Sequence, residues 1–415
     1  MELKSGYKQT EAGVIPEDWE VKALKEISPR QSVGLVINPS KYFDPKESIP
    51  MLVGSSVTEN RIDAEAANRI SAASNFKLAA SRLTQGDLVT VRVGDPGVTA
   101  VVPPELDQCN CASMMIVRQD RSFNSHWLCS TMNSRHGRQQ VENVQYGTAQ
   151  KQFNIKDAVN FIYAVPPLQE QNQIATVLSE VELLLMNLEQ VITKKRNIKQ
   201  AAMQELLTGK RRLPGFEGEW EVRRLDELGE FVKGSGVKKD EATSGDLPCV
   251  RYGEIYTHHE NYISEFKSHI STTVASRATA MRQGDILFAG SGETKEEIGK
   301  SVALVHPVKA YAGGDIVILR QNAVDALFLG YRLNAIDVSQ QKAGLGQGDA
   351  VVHISTHSLS KISVSLPGRA EQEAIAGILY EMDIELKRLQ LRLAKTQMLK
   401  QGMMQQLLTG KIRLK

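Results

Sequence analysis

Apolar positions recur most regularly in two stretches of the chain, residues 170–213 and 371–414. In the first, Ile174, Leu178, Val181, Leu185, Leu188 and Ile192 follow one another at steps of four and three. In the second, Ile375, Leu379, Met382, Leu386, Leu389 and Leu393 repeat those steps. A heptad seam of this kind keeps one stripe of a long helix facing a partner helix. Pro167 and Pro367 precede the two stretches, and Gly209 and Gly410 stand where a C-terminal cap is expected. The pattern predicts two helices of about ten turns, each roughly 55 Å long. They pair most simply as an antiparallel coiled coil within one chain.

The two stretches are copies of each other. They are displaced by 201 positions, and 20 of their 44 aligned residues are identical. The same displacement relates DWEVKAL at 18–24 to EWEVRRL at 219–225. It falls to 198 where IPMLVG (49–54) faces LPCVRY (247–252) and QGDLV (85–89) faces QGDIL (283–287), and returns to 201 by Gly147 and Gly348. The chain is therefore a pseudo-two-fold internal repeat of two units, 13–213 and 214–415, alike at their edges and in the long helix but divergent in the middle. Strand-like runs at 88–93, 114–118, 286–289 and 316–320 occur with intervening helical patterns at 125–144 and 324–342, which predicts an α+β fold rather than alternating βαβ. The division expected is a globular domain at 1–165, a helix at 166–213, a second globular domain at 214–366 and a second helix at 367–415. Pro166-Pro167 and Pro367 make each junction stiff.

Composition adds less. With 41% hydrophobic and 24% charged residues the chain is of ordinary globular character, and no apolar run approaches the ~18 residues of a membrane span. The opening MELKSGYKQT lacks an apolar core, which argues against secretion. Cys109, Cys111, Cys129 and Cys249 are too few for a disulfide framework and fit a reducing cytoplasm. A net charge of +2 announces no nucleic-acid partner, but its distribution is uneven. Residues 387–415 hold eight Lys or Arg and no acid, and residues 194–213 hold seven against one Glu. The acids gather at the front of each stretch, at Glu170, Glu180 and Glu182 and at Glu371, Glu373, Glu381, Asp383 and Glu385. Complementarity to the helix dipole and an anionic partner both account for this.

Catalytic motifs do not assemble. GETKEEIGKS at 292–301 ends like a phosphate-binding loop but has Thr294 where that loop needs glycine. Gly290-Ser291-Gly292 and Gly234-Ser235-Gly236 lack the third glycine of a dinucleotide fingerprint and read as turns. Cys109 and Cys111 are too close for zinc-finger spacing, and His258-His259 or His353 with His357 form no convincing metal set. Pro103-Pro104 and Pro166-Pro167 lack the context of an adenine methyltransferase loop, and no Ser/His/Asp order is present. The chain reads as non-enzymatic, with no cofactor of its own.

VPPLQEQ at 165–171, Ile174-Ala175, the long helix and QELLTGKRRLPGFEGEW resemble the central conserved region of type I restriction–modification specificity (S) subunits. LPGRAEQEAIAGIL through QQLLTGKIRL is similar to the distal conserved region, with Gly368 replacing one proline of the pair, and GYKQTEAGVIPEDWEVKAL resembles the N-terminal lead-in. The resemblance spans essentially the whole chain. It implies that the divergent middles are two target recognition domains, each reading one half of a bipartite double-stranded DNA site. It implies further that the helices set the spacing and dock two methyltransferase (M) subunits, which bind S-adenosylmethionine, and that two restriction/translocase (R) subunits use ATP and Mg²⁺. None of those cofactors is expected on this chain.

Two readers on one face of B-DNA sit about one turn, ~34–36 Å, apart, a distance a helix pair of roughly 55 Å can span. Dissimilar middles suit two different half-sites, since identical readers would require a palindrome. Candidate DNA contacts are Arg92, in the VRVGDPG turn, and Gln150, Lys151 and Gln152 in the loop GTAQKQFN. In the second copy they are Lys233, Lys238, Lys239, Arg251 and Lys300, whereas Arg135 and Arg138 read as surface. Two other readings compete: a coiled-coil adaptor binding DNA without sequence preference, and a recognition subunit serving a methyltransferase–nuclease fusion.

Overall fold

The computed structural model describes residues 5–348 and 351–414. The first four residues of the polar opening stretch, and Lys415 of the basic end, lie outside them. The chain forms two compact units, Met1–Glu189 with Leu391–Lys415, and Gln190–Gln390.

The first unit is built on an antiparallel sheet in the order Thr99–Val101, Leu88–Val91, Met114–Val117, Gln31–Val33. Successive side chains of a strand point to opposite faces, so a strand covered on both sides reads as an unbroken apolar run. Leu88, Met115 and Val117 pack with Trp127, Leu128, Ile174 and Leu178 on one face. Val89, Val91, Met114 and Ile116 pack with Leu52, Leu83 and Cys111 on the other. A smaller sheet places Ile49–Leu52 between Asn110–Cys111 and Asn68–Ile70. Strand Glu20–Ala23 pairs with Ile162–Val165 and delivers the chain to the start of the long helix.

The second unit repeats this plan. Its sheet runs Gly229–Lys233, Ile316–Gln321, Ile286–Ala289, Ser301–Ala303. Ile286, Phe288, Val317 and Leu319 face Phe328, Ile375 and Leu379, while Leu287, Ala289, Ile316 and Ile318 face Val250 and Ile255. Glu221–Arg224 pairs with Ser363–Leu366 in the register of its counterpart, every partner displaced by 201.

Leu168–Leu206 and Arg369–Leu407 are the two long helices, 39 residues each, or roughly 58 Å at about 1.5 Å per residue. In the first unit Ile174, Ala175 and Leu178 share a core with Met404, Leu407 and Leu408, so the start of one helix lies beside the end of the other. In the second, Ile375, Ala376 and Leu379 share a core with Leu206 and Leu207. The expected antiparallel pairing is present in both. Most of the seam is buried, with Val181, Met382, Leu389 and Leu393 partly so.

Antiparallel pairing also supplies an account of the uneven charge that dipole and partner arguments left open. Acids at the front of one helix meet bases at the back of the other: Lys400 with Glu182 at 2.6 Å, Lys195 with Glu385 at 2.7 Å, and Lys199 with Asp383. Beyond the helix ends, Arg413 grips Glu170 and Asp18 while stacking over Trp19, and Arg212 grips Glu371 beside Trp220. The shared LLTGK motif acquires its reason here. Gly209 and Gly410 have φ of +69° and +67°, and a Cβ on either would press on the Trp220 or Trp19 ring. The Glu-Gln signature does too. Gln171 donates to the Pro166 carbonyl and accepts from the Asn124 amide, and Gln372 does the same with Pro367 and Asp325.

Two helical patterns are broken where periodicity ran through. Residues 125–144 form Ser125–Asn133 and Arg135–Val144, because extended Ser134 starts a new helix and its hydroxyl accepts from the Gly137 amide at 3.2 Å. Residues 324–342 divide into Ala326–Arg332 and Ile336–Leu345, with Arg332 bonded twice to Asp337 across the break.

Candidate nucleic-acid interface

Strand Leu88–Val91 hands the chain to Arg92, Val93 and Gly94, and a loop following helix Arg135–Val144 lies against that strand end. Tyr146 and Gln152 exchange backbone hydrogen bonds of 2.9 Å, closing the loop tip. The Gly94 amide donates to the Lys151 carbonyl at 3.0 Å, and the Phe153 amide to the Arg92 carbonyl at 3.3 Å. Phe153 is fully buried and anchors the crossing. Gly147, at φ +99°, is required at the tip because a Cβ there would strike the Gln150 carbonyl. Arg138 donates to Asp95 at 2.6 Å, tying the VGDPG turn to the helix. Arg92 and residues 150–152, about sixty positions apart in sequence, thus share one platform. Gln150 and Lys151 are exposed, and Arg92 and Gln152 partly so.

The second unit builds the same platform with other side chains. Gln347 and His353 exchange backbone bonds of 2.9 and 2.8 Å, Ser291 pairs with His353, and the Ile354 amide donates to the Gly290 carbonyl at 3.0 Å. Gly348, at φ +109°, would strike the Val351 carbonyl if it carried a Cβ. Position for position, Gly290 stands for Arg92, Ser291 for Val93 and His353 for Gln152. Sequence reasoning passed over His353 as a metal ligand candidate. Counting on from the aligned pair Gly147 and Gly348 would have found it.

The candidates named for the second unit do not gather on this platform. Lys233 ends strand Gly229–Lys233 and is exposed, as are Lys238 and Lys239 at the start of the short helix Lys239–Glu241. Arg251 is committed to Glu254, its Nε donating to Oε1 at 3.1 Å. Lys300 occupies the place of Val98: the Ala289 amide donates to its carbonyl at 2.9 Å, as the Val91 amide does to Val98 at 2.8 Å. Its Nζ donates to the Tyr256 carbonyl at 3.3 Å, and burial pulls its pKa down. Beside it lies a cavity of about 310 Å³, lined by Glu260, Glu296, Glu297 and Lys342. Lys342 is buried where the first unit has Val141, and its Nζ donates to the Gly299 carbonyl at 2.8 Å.

No helix of the described residues is long and apolar enough to cross a membrane, and no group of three or more metal-ligating side chains occurs among them. The four cysteines are buried free thiols, and burial pushes that of Cys109 up to about 12.

The chain thus carries one α+β plan twice, with one loop platform and one long helix for each copy. The chain belongs to the type I restriction modification DNA specificity domain family, whose model matches it twice, at residues 16–200 and 217–394. It is a specificity subunit: its part is DNA sequence recognition, not catalysis. It is 24% identical to a putative type I restriction enzyme MjaX specificity subunit of Methanocaldococcus jannaschii, covering 99% of this chain and 98% of the relative. It is 26% identical to the MjaVIII specificity subunit of the same organism over 65% of this chain and 66% of that one. Among solved structures, the type I restriction–modification S subunit from M. genitalium matches with a TM-score of 0.62 at 13% identity, over 98% of both chains. A chain from a study of type I complex assembly and conformational transition matches with a TM-score of 0.55 at 18% identity, over 96% of this chain and 99% of that one. These two likenesses concern the fold.

Proposed function

We propose that each unit reads one half of a bipartite, asymmetric DNA site, with residues 1–165 and 214–366 acting as the two target recognition domains. The observation that carries this is the duplicated platform, whose backbone skeleton is shared while its side chains differ. Shared backbone bonding gives both domains one docking pose, and differing side chains give each its own base preference. In the first unit Arg92, Gln150, Lys151 and Gln152 contact DNA. In the second the exposed Lys233, Lys238 and Lys239 supply phosphate contacts, whereas Arg251 and Lys300 are held by Glu254 and the Tyr256 carbonyl. The helices set the spacing, since 39 residues give roughly 58 Å against the ~34–36 Å of one DNA turn. They also dock two methyltransferase subunits, with two restriction/translocase subunits completing a cytoplasmic complex. S-adenosylmethionine, ATP and Mg²⁺ belong to those partners.

Methylome sequencing of a host carrying the chain with its partners tests the reading. Methylated adenines are expected in a split, asymmetric motif, and exchanging residues 30–155 for those of another family member should rewrite one half alone. Methylation scattered without a split motif would sink it. Electrophoretic competition addresses the adaptor alternative, which requires steep salt dependence with little preference between sequences.

A further inference from the structure

We propose that His353 reads a base edge in the half-site of the second unit, with Ser291 as the residue that positions its ring. The inference rests on the bipartite reading above and goes beyond it by naming the reading atom and its chemistry.

His353 sits on the platform where the first unit carries Gln152, and both hold the crossing by equivalent backbone bonds. Its backbone is therefore fixed while its side chain is exposed. The ring is fixed as well, because Nδ1 lies 2.9 Å from the Ser291 hydroxyl oxygen. Ser291 is 5% exposed, and its carbonyl accepts from the Tyr256 hydroxyl at 3.1 Å. The direction of the first bond follows from burial. Among the described residues the Ser291 hydroxyl has no other recorded hydrogen-bond partner. Were it to accept from Nδ1–H, its own proton would be left buried and unpaired, the costlier outcome. The hydroxyl therefore donates to Nδ1, and the ring carries its proton on Nε2.

An outward N–H donor matches an acceptor edge in the major groove, N7 or O6 of a purine or O4 of thymine, and is repelled by the amino edge of cytosine. Gln152 offers a different face, donor and acceptor side by side, the pattern that pairs with adenine. Where the first unit has Val93 no hydroxyl is present to hold an imidazole. The Ser291–His353 pair is thus a feature of the second unit that gives the two half-sites different chemistry.

The test is methylome sequencing of chains carrying His353→Ala, His353→Gln, Ser291→Ala or Ser291→Thr, each with the methyltransferase partner. His353→Ala should lose about ten- to a hundredfold of discrimination at one position in one half of the motif and none in the other. His353→Gln should move that position towards adenine. Ser291→Ala should relax the same position, and Ser291→Thr, which keeps a hydroxyl, should restore it. An unaltered motif in His353→Ala overturns the proposal. So does an equal loss at every sequence, which would mark a phosphate contact. If instead the unsubstituted chain yields no split motif, the bipartite reading itself has failed, an outcome these variants do not imitate.

Discussion

Lys342 shows how a single residue can tie the stability of one unit to pH. Its ammonium is buried and bonded to one carbonyl, and burial, with help from the Lys300 charge, pushes its pKa down to about 7. In the unfolded chain the group titrates near 10.4. Between those values the unfolded chain holds a proton that the folded unit has released, so stability rises with pH across that window. The slope contributed is up to about 1.4 kcal/mol per pH unit. Urea unfolding at pH 7, 8 and 9 should show this rise, and Lys342→Met should flatten it. Identical slopes for both chains would refute the assignment. Nothing in the sequence marks Lys342, because its counterpart is Val141 and a lysine on an amphipathic helix reads as solvated. Arg92 and Gln150–Gln152 could be picked out as candidates, since glycine-bounded turns with amide and basic side chains stand out, but that they share one platform could not be read. The Ser291–His353 pair was not, because it forms across 62 positions and neither residue is remarkable alone.

At the scale of elements, the helices were the most readable part of the chain. A heptad seam, a proline before it and a glycine after it gave their extent closely, and the structure adds why the glycine is there. Gly410→Ala should cost the first unit about 1–3 kcal/mol, since alanine is strained at φ +67° and its Cβ would lie 2.5 Å from Pro16 Cδ. Gly402→Ala, eight residues earlier and inside helix Arg369–Leu407, meets nothing within 4 Å and should stabilise by about 0.5–1 kcal/mol. Thermal melts of the two variants should move in opposite directions. What periodicity could not show was that bases and acids of the two stretches belong to each other. Each helix alone satisfies the dipole rule, and the pairs Lys400–Glu182 and Lys195–Glu385 appear only once the helices lie side by side. The breaks at Ser134 and Ala335 escaped notice for a similar reason, since apolar spacing on either side continues through them.

For the whole molecule, the duplication could be read from register alone, because a displacement of 201 holds at both ends of each copy, and the α+β class followed from strand-like and helical runs within each. The composition of the compact units could not. The first unit draws on residues 391–415, two hundred positions beyond the rest of it. Met404, Leu407 and Leu408 complete the core around Trp19, Ile174 and Leu178, and Arg413 closes over it. A chain ending at residue 390 should therefore expose amides around Trp19 and Ile174 to rapid hydrogen exchange while those around Phe288 and Leu319 stay protected. Equal protection in both regions would contradict the division. The same arrangement bears on biosynthesis. The segment that finishes the first unit is translated more than two hundred codons after the body of that unit, a wait of roughly ten to fifty seconds at ribosomal speed. During that interval Ile174 and Leu178 lack Met404, Leu407 and Leu408, the side of their core that the second long helix supplies. The earlier-made part of the protein is thus the later to be sealed, and it is the part that a chaperone or an interrupted message would meet open.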